Sequence, residues 1–429
     1  MITFLTVYLG LIAGHQPVEL RVDPAVRTVQ ILLDGKKIDA LGAPPWRSIV
    51  DFGETIQPHE LVARGLDEKG EEITRVSQFI NLPRPTAELD LVVERDANGT
   101  PKRATLTGFH VRYEAVRRAT LKLDEKPLSL DRNYRASLPK VDMKRPHALS
   151  AEMRFADGTV ARRDVVFGGE FAETMPTQLT PTVVTRTGSG DAPPLADDCF
   201  VNNGAPLRVS NVEKPGATVI IVRDPDPAEI KAALLFTAVI GGNIDTATMR
   251  NAAKLDPDTT LELMSPAGDR VVAPDQPTAI LFPSFPDPDT KEGIYWFLTS
   301  TKIRGNEGPR RWADAVAVAA VKAVSSGRRR AVLLVLGSEP DASYHKADAV
   351  RQYLESIGVP LFVWSVFGKP GDGGWGQVED VSTLEKMNAA AEGIRRALDI
   401  QRIAWIYADP LTALHADVKP ACGYARLAR

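Results

Sequence analysis

The apolar residues of this chain change their period near residue 205, and no other feature limits its folds as strongly. Up to about residue 169, short runs of strand-forming residues alternate with turn signals. Beyond 205, continuous runs such as TVIIV at 218–222 alternate with segments whose apolar residues recur at spacings of three and four. The first pattern predicts strands with one wet face. The second predicts strands buried on both faces, with helices between them. The predicted fold class is therefore multidomain: two all-β sandwiches followed by an α/β doubly wound (Rossmann-like) domain. The 429 residues suit about three domains.

Charge is nearly balanced, with 52 Lys and Arg against 55 Asp and Glu. This argues against a globally basic nucleic-acid binder. No apolar run reaches the ~18 residues of a membrane-spanning helix. Residues 4–14 (FLTVYLGLIAG) have the length of a signal-peptide core, although no Lys or Arg precedes them. We expect residues 1–14 to be a removable leader and the chain to be exported; a first β-strand is the alternative. Two cysteines, Cys199 and Cys422, exclude a disulfide-dense scaffold and a Cys-based zinc site. They can form one bridge across the ends of the C-terminal domain, or pack as two thiols.

Two modules are expected at 15–84 and 85–169, because motifs recur between them. Val26-Arg27-Thr28-Val29 before Leu33-Asp34 matches Val116-Arg117-Arg118-Ala119 before Leu123-Asp124. Pro58-His59-Glu60-Leu61 matches Pro146-His147-Ala148-Leu149. The offsets are 90 and 88 residues, about one sandwich each. The pair resembles bacterial immunoglobulin-like modules. His59 and His147 are expected to hydrogen-bond a turn, since zinc needs three or four ligands.

A linker is expected over 170–204, rich in Thr, Pro, Gly and Ser, and the α/β domain over 205–429. Its strands are expected at 218–222, 260–264, 331–336, 359–366 and 402–407, with helices over 311–325, 343–357 and 382–398. The loops after Val222, Leu336 and Val366 are the ones to inspect, since ligands of such sheets bind at the C-terminal strand ends.

The stretches TVIIVRDPDP, RRWADAVAVAAVKAV and RRRAVLLVLGSEPDASYHKADAVRQYLESIGVPLFVWSV resemble a von Willebrand factor A domain. With the modules in front, the whole chain is similar to A-domain-related bacterial proteins of acidobacterial type. The resemblance implies one Mg²⁺ held by an Asp-x-Ser-x-Ser loop, a Thr and a further Asp, all hard oxygen donors. Here Asp224 matches the first Asp. Asp226 and Ala228 stand at the Ser positions, Arg310 near the Thr, and Leu336 before Gly337 at the last Asp. We therefore expect no metal or other cofactor, with Arg310 and Arg311 supplying positive charge in the cation's place. The resemblance then implies that Asp224, Asp226, Arg310, Arg311, Gly337, Ser338 and Glu339 form a binding surface; Trp375, on the glycine-rich loop after Val366, is expected as an exposed anchor.

Other signals are weaker. Three Asp-Pro-Asp motifs (224–226, 256–258, 287–289) fit turn and helix-start chemistry. Segment 301–330 carries eight Lys or Arg against two Asp or Glu; it fits a solvated helix face with Arg328–Arg330 capping a strand, or else contact with an anionic surface. Gly368–Gly376 lacks the order of a phosphate loop. No nucleophile motif is present. The expected function is a non-enzymatic, exported scaffold that binds a protein partner. The alternatives are a metal-assisted hydrolase at Asp224, Asp226 and Glu339, or a structural subunit of a cell-envelope assembly.

Overall fold

The structure, a computed structural model, describes residues 2–427 apart from 7, 9, 84–86, 96–99, 111–113, 170–178, 189–197, 241–244, 272–278, 288–291, 301–307 and 369–372. The first module holds β1 (Ile2–Phe4), β2 (His15–Val22), β3 (Thr28–Leu33), β4 (Lys36–Leu41), β5 (Arg47–Asp51), β6 (His59–Leu66) and β7 (Glu72–Ile80). They form antiparallel sheets of order β1-β2-β5 and β4-β3-β6-β7. Alternate residues such as Val29, Ile31, Leu61 and Ala63 face a shared core. Ile2 and Phe4 are core residues, and their strand pairs with β2.

The second module repeats the plan. It contains β8 (Ala87–Arg95), β9 (Pro101–His110), β10 (Val116–Leu123), β11 (Lys126–Leu128), β12 (Arg135–Ser137), β13 (His147–Phe155) and β14 (Val160–Phe167). Its sheets run β11-β10-β13-β14 and β12-β9-β8. The two motifs that recur in sequence are two halves of one contact. His59 Nδ1 lies 2.7 Å from Asp34 Oδ2, and His147 Nδ1 lies 2.6 Å from Asp124 Oδ2. Each Asp also accepts the backbone N–H that follows the His, from Glu60 and Ala148. Each sits in a hairpin bend with two positive φ angles, Asp34-Gly35 and Asp124-Glu125.

The remaining strands split between two units. β15 (Leu179–Arg186), β16 (Phe200–Asn202), β17 (Ala205–Leu207) and β18 (Val209–Glu213) come first. The expected linker therefore contains ordered strands. Next come β19 (Ala217–Val222), α1 (Ala228–Ile240), α2 (Thr246–Asn251), β20 (Thr259–Met264), the hairpin β21 (Asp269–Val271) and β22 (Ala279–Leu281), and β23 (Ser284–Asp287). α3 (Ile294–Ser300), α4 (Trp312–Ser325), β24 (Arg329–Val335), α5 (Ala347–Ser356), β25 (Leu361–Ser365), β26 (Glu379–Asp380) and α6 (Leu384–Asp399) follow. Their sheet has the order β23-β20-β19-β24-β25-β26, parallel except for β23. α1, α3 and α6 pack on one face, α4 and α5 on the other.

β27 (Gln401–Tyr407) is not a strand of that sheet, contrary to the sequence expectation. It pairs antiparallel with β15 and β18 in a sheet completed by β29 (Tyr424–Arg426). α7 (Pro410–Leu414) and β28 (Asp417–Val418) complete this unit, β28 pairing with β16. Cys199 and Cys422 are bridged within its core. The parallel sheet is thus an insertion, over 217–399, into a small β unit built from both flanks.

Buried arginines finish the N-terminal end of the parallel sheet. Arg330 donates to the carbonyls of Ile357 and Gly358 after α5, at 3.4 and 3.3 Å. Arg329 donates to Leu398 in the last turn of α6 at 3.2 Å and pairs with Asp258. Cationic side chains there satisfy orphan helix carbonyls and the negative dipole ends. Gln401 clamps Arg330 from both sides, accepting its N–H and donating to its carbonyl.

Candidate functional site

Asp224 stands at the C-terminal end of β19. Its Oδ1 accepts the Asp226 N–H at 3.0 Å, and Asp226 Oδ1 accepts the Ala228 N–H at the start of α1. This Asp-Pro-Asp motif does turn and capping work; the motif at 287–289 extends outside the described residues. Arg310 covers both carboxylate oxygens of Asp224. Its Nε donates to Oδ2 at 2.7 Å and its Nη2 to Oδ1 at 3.3 Å. The two side chains are only 17% and 19% exposed. Such forked, charge-assisted pairs are among the stronger hydrogen-bonded contacts. A cation on Asp224 would have to displace this guanidinium.

Beneath Asp224 lies Arg223, fully buried, donating to the carbonyls of Asp224 and Phe297. Burial pulls its pKa down to about 10, so it stays charged at neutral pH. Arg311 turns away from Arg310. Its Nη1 donates to the Ala342 carbonyl at 2.9 Å, and its guanidinium lies 4.6 Å from the centre of the Tyr344 ring.

The loop after β24 is tightly built. A Cβ on Gly337 would stand 2.9 Å from the Trp312 ring, so only glycine fits there unchanged. Ser338 Oγ donates to Glu229 Oε2 at 2.6 Å. Glu339 accepts Trp312 Nε1–H through its backbone carbonyl, not its carboxylate. Two acidic residues that the sequence reading missed carry most of the order. Asp341 caps α4 from outside, accepting the N–H groups of Trp312 and Ala313. Asp314 accepts the N–H groups of Tyr344 and His345 and lies 2.8 Å from His345 Nδ1. Burial works to raise its pKa, but the His345 side chain and those two N–H bonds prevail and hold it below the usual range.

Two sequence expectations are corrected here. Trp375 is 6% exposed, in the core with α4 and α5, and cannot anchor a partner. Exposed aromatics among the described residues include Tyr344, Phe367 and Phe285, at 76%, 49% and 40%. The basic segment 301–330 is not a free positive face. Arg310 holds Asp224, Arg311 the Ala342 carbonyl, Lys322 Glu262 and Ser284, and Arg328 to Arg330 hold Asp258 and helix ends. Lys302 and Arg304 lie outside the described residues.

Among the described residues, no three His, Cys, Asp or Glu side chains converge as a metal ion requires. An apolar cleft of about 270 Å³ lies at the opposite end of the sheet, lined by Pro83, Pro181, Val183, Arg330 and Leu414.

No family model and no curated protein matches the chain. Solved structures with partial likeness include the fibronectin(III)-like modules of Clostridium thermocellum CbhA, at 13% identity and a TM-score of 0.16, covering 39% of this chain and 94% of that one. The central fibronectin-III array of RIM-binding protein gives 11% and 0.23, covering 43% and 75%. A Bacteroides ovatus glucan-utilisation protein, SGBP-B, in complex with a mixed-linkage heptasaccharide, gives 13% and 0.14, covering 49% and 58%. At such TM-scores the likeness carries no argument.

Proposed function

We propose that this chain is a non-enzymatic, exported scaffold whose inserted α/β unit is a von Willebrand factor A-like domain with a dismantled metal site. The observation that carries this reading is the Arg310–Asp224 pair: the carboxylate at the family's first ligand position is spent on a guanidinium. The strand order and the antiparallel edge strand β23 support the domain assignment. The disulfide supports export, since such bridges persist in oxidising compartments.

A protein partner would then meet a preformed surface at the ends of β19, β24 and β25. Tyr344 projects from a loop held by Asp314 and Asp341, an aromatic on a rigid support. The hydrolase alternative has less support. Asp224 and Asp226 are committed to Arg310 and to turn N–H groups, and no contact brings the Glu339 carboxylate to either among the described residues.

The test is capture of envelope proteins on the immobilised full chain, with and without EDTA. Equal capture under both conditions, lost in Tyr344→Asp, is the expected outcome. Capture that needs Mg²⁺, or micromolar Mg²⁺ binding abolished by Asp224→Ala, overturns the reading.

A further inference from the structure

The second sandwich carries a cluster of arginines that its fold does not explain. The register of β10 and β13 shifts between Val116 and Arg118, and Arg117 is the inserted residue. Both Arg117 and Arg118 are exposed, as expected where a bulge re-aims a side chain. Arg118 stands directly opposite Arg154 on β13, a like-charge cross-strand pair that costs stability. One strand further, Arg162 on β14 is paired in register with Glu152. Glu152 serves both Arg162, at 2.9 Å, and Arg154, at 3.8 Å. Among the described residues, neither Arg117 nor Arg118 has a carboxylate within ion-pair distance.

The first sandwich is the internal control. The positions of Arg118 and Arg154 correspond there to Thr28 opposite Leu66, and Arg27, the counterpart of Arg117, is paired with Glu68 at 2.7 Å. The Arg118–Arg154 pair is therefore not a requirement of the fold. Residues 87–169 hold sixteen Lys or Arg against twelve Asp or Glu, in a chain whose net charge is −3.

We infer that the outer face of the β11-β10-β13-β14 sheet binds an acidic polysaccharide, with Arg117, Arg118, Arg154 and Arg162 pairing to its carboxylates or sulfates. Charge complementarity sets the anionic class. The flat face carries no large exposed apolar residue to enter a bilayer, which argues against a lipid surface. The disulfide favours an oxidising compartment, which argues against a nucleic-acid ligand.

The experiment titrates the full chain with polygalacturonate and with heparin by calorimetry, at 20 and 200 mM salt, beside phosphatidylglycerol vesicles and duplex DNA. The expected result is binding of at least one polysaccharide, weakened by salt. It falls at least tenfold in Arg118→Thr/Arg154→Leu, which copies the first sandwich, and is unchanged in Lys140→Ser on the same module. The double variant should melt no lower than the parent, because it removes a repulsive pair, so a loss of binding cannot be a loss of folding. No binding to either polysaccharide at 20 mM salt overturns the inference. So does a loss equal in Lys140→Ser and the double variant, or binding of vesicles or DNA alone.

Discussion

The two sandwiches share a plan, a His–Asp staple, a hairpin bend and a core of their own, yet only the first also contributes residues to a core of the inserted α/β unit. The loop before the His decides this. In the first module it carries Ile56, which is buried in the same core as α4 and α5. The residue 88 positions on is Lys144, which is exposed. Asn81 completes the junction: its side chain fastens Ile12 and Gln57, and its carbonyl accepts the Tyr353 hydroxyl at 2.6 Å. Among the described residues, the core of the second module contains only its own residues, between Ala87 and Phe167. The staples differ accordingly. His147 Nε2 lies 3.0 Å from the Asp142 carbonyl, whereas His59 Nε2 is buried with no hydrogen-bond partner among the described residues. One loop was spent on docking and the other on its own histidine.

Removing the anchor should break this contrast most. Ile56→Ala should cost about 2–5 kcal/mol, as buried Ile truncations do, measured by denaturant unfolding of the fused body. Reduction of Cys199–Cys422 should cost that body about 2–4 kcal/mol and leave the transition of the second module in place. A single transition that shifts as a whole would show that the second module is not independent.

A smaller effect follows from the second staple. The Asp124 hydrogen bond raises the His147 pKa, and the same bond lowers that of Asp124. The His147 contribution is complete below its unfolded pKa of ~6.5 and is lost as pH rises through the raised folded value. The Asp124 contribution is complete above ~3.9 and is lost as pH falls through its lowered value. The second module should therefore be most stable between these limits and weaken as pH rises above ~6.5. Asp124→Asn should flatten that profile in thermal melts. Least of all, Lys144→Ala should change stability by under about 0.5 kcal/mol, as exposed sites do; a cost matching Ile56→Ala would erase the contrast.

The loops of the α/β unit could be read in part. The continuous run at 218–222 placed Asp224 at a strand end, and the resemblance to an A domain set Arg310 beside it. Asp314, Asp341 and His345 escaped notice because their partners are mainly backbone N–H groups of other loops, and no spacing announces such contacts. Trp375 was misjudged because a glycine-rich loop reads as exposed, while its ring packs beneath α5.

Periodicity by itself determined the central strands and the helices α4, α5 and α6 of the α/β unit, and repetition determined that two modules share a plan, because both follow from local side-chain spacing. Partnership was decided only in three dimensions. The run RIAWIY is equally apolar as the last strand of a parallel sheet or as the centre of an antiparallel one. What selects the second is the pairing offered by β15 and β18, some 190 to 230 residues earlier in the chain. Backbone hydrogen bonds are the same for every sequence, so the chain's own letters cannot name which distant strand will satisfy them.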